Sequence, residues 1–208
     1  VELASRRGEL LTSLTSVRVL YALLLEPQPG SWTYRDLARL SGASLGAVAS
    51  VMRVLRQRGH VTHGKSGYRL HRAPELLELW ISGYTEHFRP RSEVGRFRAA
   101  ERDLEAVVND LVRWAPSARV RWALTGTFAG HVLTRHYRGE HLVLFMEPWS
   151  PGYLRKLRWA PAAEGSITVL RTFSPRQLDH DVKVPDRAPG WPVAAPLLVY
   201  AELLADGS

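Results

Sequence analysis

The sequence predicts an α+β protein made of two modules that differ in kind. Three observations lead there. Residues 1–72 run through short helical patterns punctuated by turn signals and finish in a Gly-rich hairpin. From Val120 onward, short apolar strands alternate with helical stretches, the order of an α/β layer rather than of a helical bundle. Charge is also divided unequally: residues 1–72 hold 11 Lys and Arg against 4 Asp and Glu, whereas residues 73–208 hold 17 against 16. The boundaries drawn on this basis are 1–72 for the first module, 73–99 for a linker helix and connector, and 100–208 for the α/β domain.

Each element follows from local chemistry. Val17–Leu25 is an apolar helix, closed by Glu26-Pro27-Gln28-Pro29-Gly30. Thr33-Tyr34-Arg35-Asp36 is a capped helix start, with Thr33 as N-cap and Asp36 at the third helical position. Leu37, Ala38 and Leu40 face inward on that helix, and Gly42 breaks it. Ser44 caps the next helix, whose Val48, Val51, Met52 and Leu55 recur at helical spacing, and Gly59 stops it. His60–Thr62 and Tyr68–His71 are short strands about the turn Gly64-Lys65-Ser66-Gly67. Pro74–Phe88 is a helix with Leu77, Trp80 or Ile81, Tyr84 and Phe88 on one stripe, broken by Arg89-Pro90-Arg91. A second long helix spans about Ala100 to Trp114, bounded by Pro116. Strands at Val120–Leu124, Leu142–Glu147 and Ser166–Arg171 then alternate with helices at Thr127–Arg135 and Pro151–Leu157. Trp191-Pro192-Val193 is a short edge strand or connector, and Pro196 opens a last helix over Leu197–Leu204.

Helix, helix, turn, helix, hairpin is the order of a winged helix-turn-helix. The stretch TYRDLARLSGASLGAVASVMRVLRQRGHV resembles that superfamily, and the resemblance covers residues 12–72. Together with a local excess of Arg, it implies double-stranded DNA as partner. In such modules the first residues of the second helix enter the major groove. Here they are Ser44, Leu45, Gly46, Ala47, Val48 and Ala49, which offer little that is long enough to grip a base. Ser44 and Ser50 are expected to bond a phosphate or a base edge, and Gly46 and Ala47 to allow close backbone approach. Arg53 is the long donor expected to face DNA, with Arg56 and Arg58 beside the flanking backbone, Arg35 on the preceding helix, and Lys65 and Arg69 on the wing. The set is rich in phosphate contact and lean in base readout, helped by DNA shape.

Composition narrows the remaining classes. The chain of 208 residues carries a net charge of +8 and no cysteine, which excludes disulfides and thiolate metal sites. A reducing cytoplasm, at the nucleoid, is the expected location. No apolar run reaches membrane-spanning length and no signal-peptide pattern opens the chain, so no membrane partner is expected. Val1 is not an initiator Met and the chain stops at Asp206-Gly207-Ser208, so trimming at one or both ends is expected.

The second module is most informative at RWALTGTFAGHVLTRHY and EHLVLFMEP. A strand ends in Leu124-Thr125-Gly126-Thr127, a helix follows, then a second strand, which resembles the start of a nucleotidyltransferase fold. There, a Gly-Ser turn at the helix start holds nucleotide phosphates, and the next strand supplies two carboxylates, one residue apart, for metal ions. Gly126-Thr127 stands in the place of the turn. The second strand reads His141, Leu142, Val143, Leu144, Phe145, Met146, with no Asp-x-Asp, and Glu140 and Glu147 at its opposite ends cannot share one metal ion. The expected C-terminal domain is therefore a degenerate nucleotidyltransferase-like α/β domain, with no catalytic residue, metal or cofactor assigned.

The combination resembles the antitoxin half of AbiE-type (type IV) toxin–antitoxin pairs, over roughly residues 12–205. The resemblance rests on the winged helix, on PELLELWISGY, on WALTGTFAGHVL, and on SITVLRTF with WPVAAPLLVYAELLA. It implies a protein that binds inverted repeats in its own promoter, represses it, and opposes a cognate toxin. A toxin or another protein is the partner expected at the C-terminal domain, and the DNA-bound form is a monomer or a homodimer.

Other features have plainer explanations. Trp80, Tyr84 and Phe88 suit base stacking, but at i, i+4, i+8 they are better read as a core seam joining the two domains. His60 and His63, three apart on a strand, point to opposite faces, and His131, His136 and His141 are scattered, so no zinc site is expected. His180-Asp181 carries no catalytic weight. Gly126-Thr127 as a nucleotide sensor competes with a purely steric need for glycine in a tight turn, and the steric reading is preferred. No Gly-x-Ser-x-Gly, Walker-type loop or HExxH occurs. The alternatives to a specific repressor are a sequence-tolerant DNA-binding protein of repair or nucleoid organisation, a protein-docking module, and an active nucleotidyltransferase with rearranged carboxylates.

Overall fold

The chain divides into two compact units, Val1–Arg91 with Ser174–Arg176, and Ser92–Phe173 with Gln177–Ser208. The computed structural model describes residues 13–25, 32–64, 67–136, 139–175, 177–179 and 190–206. Of the segment 73–99, set apart above as linker and connector, the helical part falls in the first unit and a strand joins the sheet of the second.

The first unit is built on α1 (Leu14–Leu25), whose Val17, Val19, Leu20, Tyr21 and Leu23 are all buried. Helix α2 (Tyr34–Ser41) begins with the expected capping box: Thr33 Oγ1 accepts from the Asp36 amide at 3.1 Å and the Asp36 carboxylate accepts from the Thr33 amide at 3.0 Å. These bonds, the Thr33 hydroxyl first, hold the Asp36 carboxyl below its usual range. Gly42 ends α2 at φ +68°, and a Cβ there would stand 2.8 Å from the Pro175 ring, so both backbone and space demand glycine. Ser44 caps α3 (Leu45–Gln57), which buries Val48, Val51, Met52, Val54 and Leu55. Strands β1 (Val61–Gly64) and β2 (Gly67–Leu70) pair antiparallel, from Val61 opposite Leu70 to Gly64 opposite Gly67. Trp32 forms an isolated bridge with Tyr68, adding an extended residue to the hairpin that the sequence pattern does not reveal.

Helix α4 (Ala73–Ser82) returns to this core. The buried Trp80 indole N–H donates to the Val17 carbonyl at 3.0 Å, and the rings of Tyr21, Trp80, Tyr84 and Phe88 stand in series at 5.7, 5.2 and 5.6 Å. The aromatic stripe is core within the first unit, with Trp80 and Tyr84 fully buried. Arg89-Pro90-Arg91 does not break the helix, contrary to the sequence expectation. The chain passes through a π-helical turn (Gly83–Phe88) into a further turn of α-helix at Arg89–Ser92. The Arg89 amide bonds Tyr84, five residues back, and this wider turn relieves the crowding that the Pro90 ring would meet in an ordinary helix.

The second unit is a five-stranded mixed sheet in the order β4-β5-β7-β3-β6. Strand β3 (Glu93–Ala99) lies between β7 (Ile167–Leu170) and β6 (Trp159–Pro161), antiparallel to both. Strand β4 (Arg121–Thr125) is antiparallel to β5 (Leu142–Glu147), and β5 is parallel to β7. Helix α5 (Leu104–Ala118) is capped by Asp103 and runs past Trp114, and Pro116 does not bound it as the sequence suggests but sits in its last turn. Helix α6 (Gly126–Thr134) follows β4 directly, α7 (Tyr153–Leu157) precedes β6, and α8 (Pro196–Ala205) starts with its proline as expected. Val107, Val108 and Leu111 of α5 and Phe128, Ala129 and Val132 of α6 share a core with Leu142, Leu144, Ile167 and Val169. Val193 bridges in parallel to Leu124. The architecture is mixed α+β, and among the described residues no helix is long and apolar enough to cross a membrane.

Candidate nucleic-acid interface

Burial of Val48, Val51, Met52, Val54 and Leu55 turns the other side of α3 outward. Gly46, Arg53, Arg56 and Gln57 are exposed there, and Ala47, Ala49 and Ser50 are half-buried. The Ser44 hydroxyl is exposed but occupied in capping, accepting from the Ala47 amide at 3.3 Å. Two expected contact residues thus meet in one cap. Arg58 is the exposed C-cap, Arg35 lies exposed on α2, and Arg69 exposed on β2. Lys65 lies outside the described residues. From Trp32 to Arg72 there are seven arginines, all exposed, and one carboxylate, that of Asp36, which is engaged at the start of α2.

The hairpin is tied to α2 by aromatic contacts that sequence reasoning missed. Tyr34 and Tyr68 stack at 5.1 Å with their planes 11° apart, and His63 lies 4.5 Å from Tyr68. Burial, then hydrogen bonding with Tyr34, pushes the Tyr68 hydroxyl pKa up. Because each tyrosine precedes one of the expected contacts, the stack brings the backbones carrying Arg35 and Arg69 to neighbouring positions. Aromatic residues beside turn signals were the available clue, but the pairing depends on the hairpin having formed.

His60 anchors the base of the hairpin: its amide bonds the Leu55 carbonyl at 2.9 Å, and its carbonyl accepts from His71 at 2.7 Å. The ring is buried, and this burial lowers its pKa, with Arg58 and Arg72 adding to the effect and Glu75 opposing it. Its strand neighbour His63 is exposed.

In the second unit, Gly126 adopts φ +66°, and a Cβ there would stand 3.1 Å from Val143. Gly126, Phe128 and Ala129 are buried, so the start of α6 is closed by packing. Its hydroxyls serve the fold: Thr125 donates to the Leu198 carbonyl at 3.3 Å and Thr127 to the His141 carbonyl at 3.2 Å. Glu147, at the end of β5, accepts from the Thr172 hydroxyl and lies 3.5 Å from Arg121, which also pairs with Asp179 at 3.0 Å. Among the described residues, no group of three or more His, Asp or Glu side chains is placed to hold a metal ion.

The comparison with protein families decides the kinship. A family model described as transcriptional regulator, AbiEi antitoxin, type IV TA (toxin–antitoxin) system matches residues 69–208, more than half of the chain. The chain belongs to the AbiEi antitoxin family. The matched stretch takes in the second half of β2, α4 and the whole second unit, and includes Arg69. The contacts expected on α2 and α3 lie before it and rest on their own geometry. No curated protein matches the chain, and no solved structure does.

Proposed function

We propose that this AbiEi family member represses transcription by binding double-stranded DNA through its first unit, without catalytic activity. In this reading α1 to α3 with β1 and β2 form a winged helix-turn-helix. Helix α3 enters the major groove by its N-terminus, and the hairpin follows the phosphate backbone. The observation that carries the reading is seven exposed arginines between Trp32 and Arg72, of which, among the described residues, only the last is paired, with Glu75, against a single, already engaged carboxylate in the same stretch. A surface so predominantly of one sign suits a polyanion. Arg53 is the donor assigned to the groove, and Arg35, Arg56, Arg58, Lys65 and Arg69 are assigned to phosphates. Inverted repeats would be met by two monomers or by a homodimer.

The second unit is assigned as a nucleotidyltransferase-like scaffold that has lost its chemistry and offers a docking surface to a cognate toxin. What supports this is β5, which carries no pair of carboxylates one residue apart, and Glu147, which is tied to Thr172 and Arg121. Fluorescence anisotropy on the gene's own upstream DNA and on a scrambled duplex, across a salt series, tests the proposal. A preference for the upstream duplex that persists at higher salt is expected. Equal, steeply salt-dependent binding to both would replace the specific repressor with a sequence-tolerant DNA-binding protein. No binding to either would end the DNA-binding reading.

A further inference from the structure

We infer that Leu45 is the sequence-reading side chain of α3, and that it reads thymine by apolar contact with the 5-methyl group. The inference rests on the DNA-binding reading and deepens it. Leu45 stands three residues before the buried Val48, a spacing that would place it in the core. It is instead 50% exposed, more than Leu14, Tyr200 or Leu204, the other exposed large apolar side chains among the described residues.

Its position accounts for the exposure. Leu45 is the first residue of α3, directly after the Ser44 cap. Helical side chains lean toward the N-terminus, so this one projects beyond the start of the helix. The next residue, Gly46, has no side chain to crowd it, and beyond the adjoining residues the space beside that glycine is open. Ala47 is short and Val48 is buried. Leu45 is thus the one long side chain that the first helical turn holds outward.

The surroundings select the ligand. The same helix exposes Arg53 and Arg56, and Arg53 lies about 12 Å along the axis from Leu45. An apolar side chain leading a cationic face suits a ligand that is anionic outside and carries an apolar group within. In the major groove that group is the C5-methyl of thymine. The hydroxyl that would otherwise read a base at this end, that of Ser44, is engaged by the Ala47 amide. That bond uses the Ser44 oxygen as acceptor and leaves only its proton to donate, so the methyl contact of Leu45 supplies the apolar part of the readout at this turn.

The test uses the full chain and the duplex it enriches most from a random-sequence pool. That duplex is synthesised with thymidine or with deoxyuridine, which differ only in the methyl group. The wild-type chain is expected to bind the deoxyuridine form about fourfold more weakly for each methyl contacted. Leu45→Ala, an exposed substitution, should bind both forms equally, with the affinity of the wild type for the deoxyuridine form. Equal binding of the two forms by the wild type overturns the inference while leaving DNA binding intact. A difference retained in Leu45→Ala overturns it as well. Failure to enrich any duplex overturns the DNA-binding reading, and the inference with it.

Discussion

The starts of α3 and α6 look alike in sequence, each a small residue or glycine leading an apolar helix, and they differ completely in the folded chain. Each concentrates the positive end of a helix dipole, where negative charge is favoured. At α3 that end is open: Ser44, Leu45 and Gly46 are exposed, and the space beside Gly46 is empty. At α6 it is closed: Gly126, Phe128 and Ala129 are buried, and a Cβ at the glycine would stand 3.1 Å from Val143, closer than ordinary contact. The two glycines therefore mean opposite things. Gly46 leaves room for a ligand, whereas Gly126 allows a left-handed turn against a neighbouring strand. A helix start becomes a recognition surface through what is missing around it, which sequence alone does not display.

The largest effect that would break this contrast is at Gly126. Gly126→Ala places a side chain in the left-handed region and against Val143, and should cost about 3 kcal/mol of stability. Gly46→Ala, in open space at a helical position, should instead gain up to about 1 kcal/mol. Thermal unfolding of both variants checks the pair, and similar melting of the two would end the distinction between an open and a closed start.

Next in size is Arg53→Ala, expected to weaken DNA binding by about 1–3 kcal/mol with no change in melting temperature. A loss equal on all sequences would limit Arg53 to phosphate contact, and an unchanged affinity would remove it from the interface. The smallest effect sharpens the comparison on the α3 side, where His60 secures the hairpin. Its folded pKa is lowered, so the neutral ring stabilises the fold fully above the unfolded value of about 6.5. That stability is lost as pH falls from there through the folded value. A denaturation midpoint that drops from pH 7 toward pH 5, and drops less in His60→Gln, is the expected observation; identical pH profiles would rule His60 out as its source.

Local chemistry was well marked in the sequence, and contacts distant along the chain were not. Thr33, Gly42, Ser44 and Gly59 announce the ends of α2 and α3 because caps and left-handed turns are decided within a few residues. Strand β3 was hidden because its alternation is broken by an irregular register between Glu93 and Gly95, and because Arg96 and Arg98 are exposed while Phe97 alone is fully buried. Its partners β6 and β7 come much later in the chain. Of the candidate interface, the positive charge was legible, since it needs only counting. The exposure of Leu45 was not, because it shares the helical spacing of core residues. The Tyr34–Tyr68 stack was not either, because only a formed hairpin brings those rings together.

The π-helical turn at Gly83–Phe88 has a genetic consequence. A turn closed by bonds five residues apart holds one residue more than an α-helix needs to cover the same span. Losing one codon inside the turn would close it to ordinary helix over the same span, whereas losing one from the regular helix of α4 would swing the residues that follow by about 100°. In this stretch of the gene, a change of length should be better tolerated inside the turn than in the helix before it.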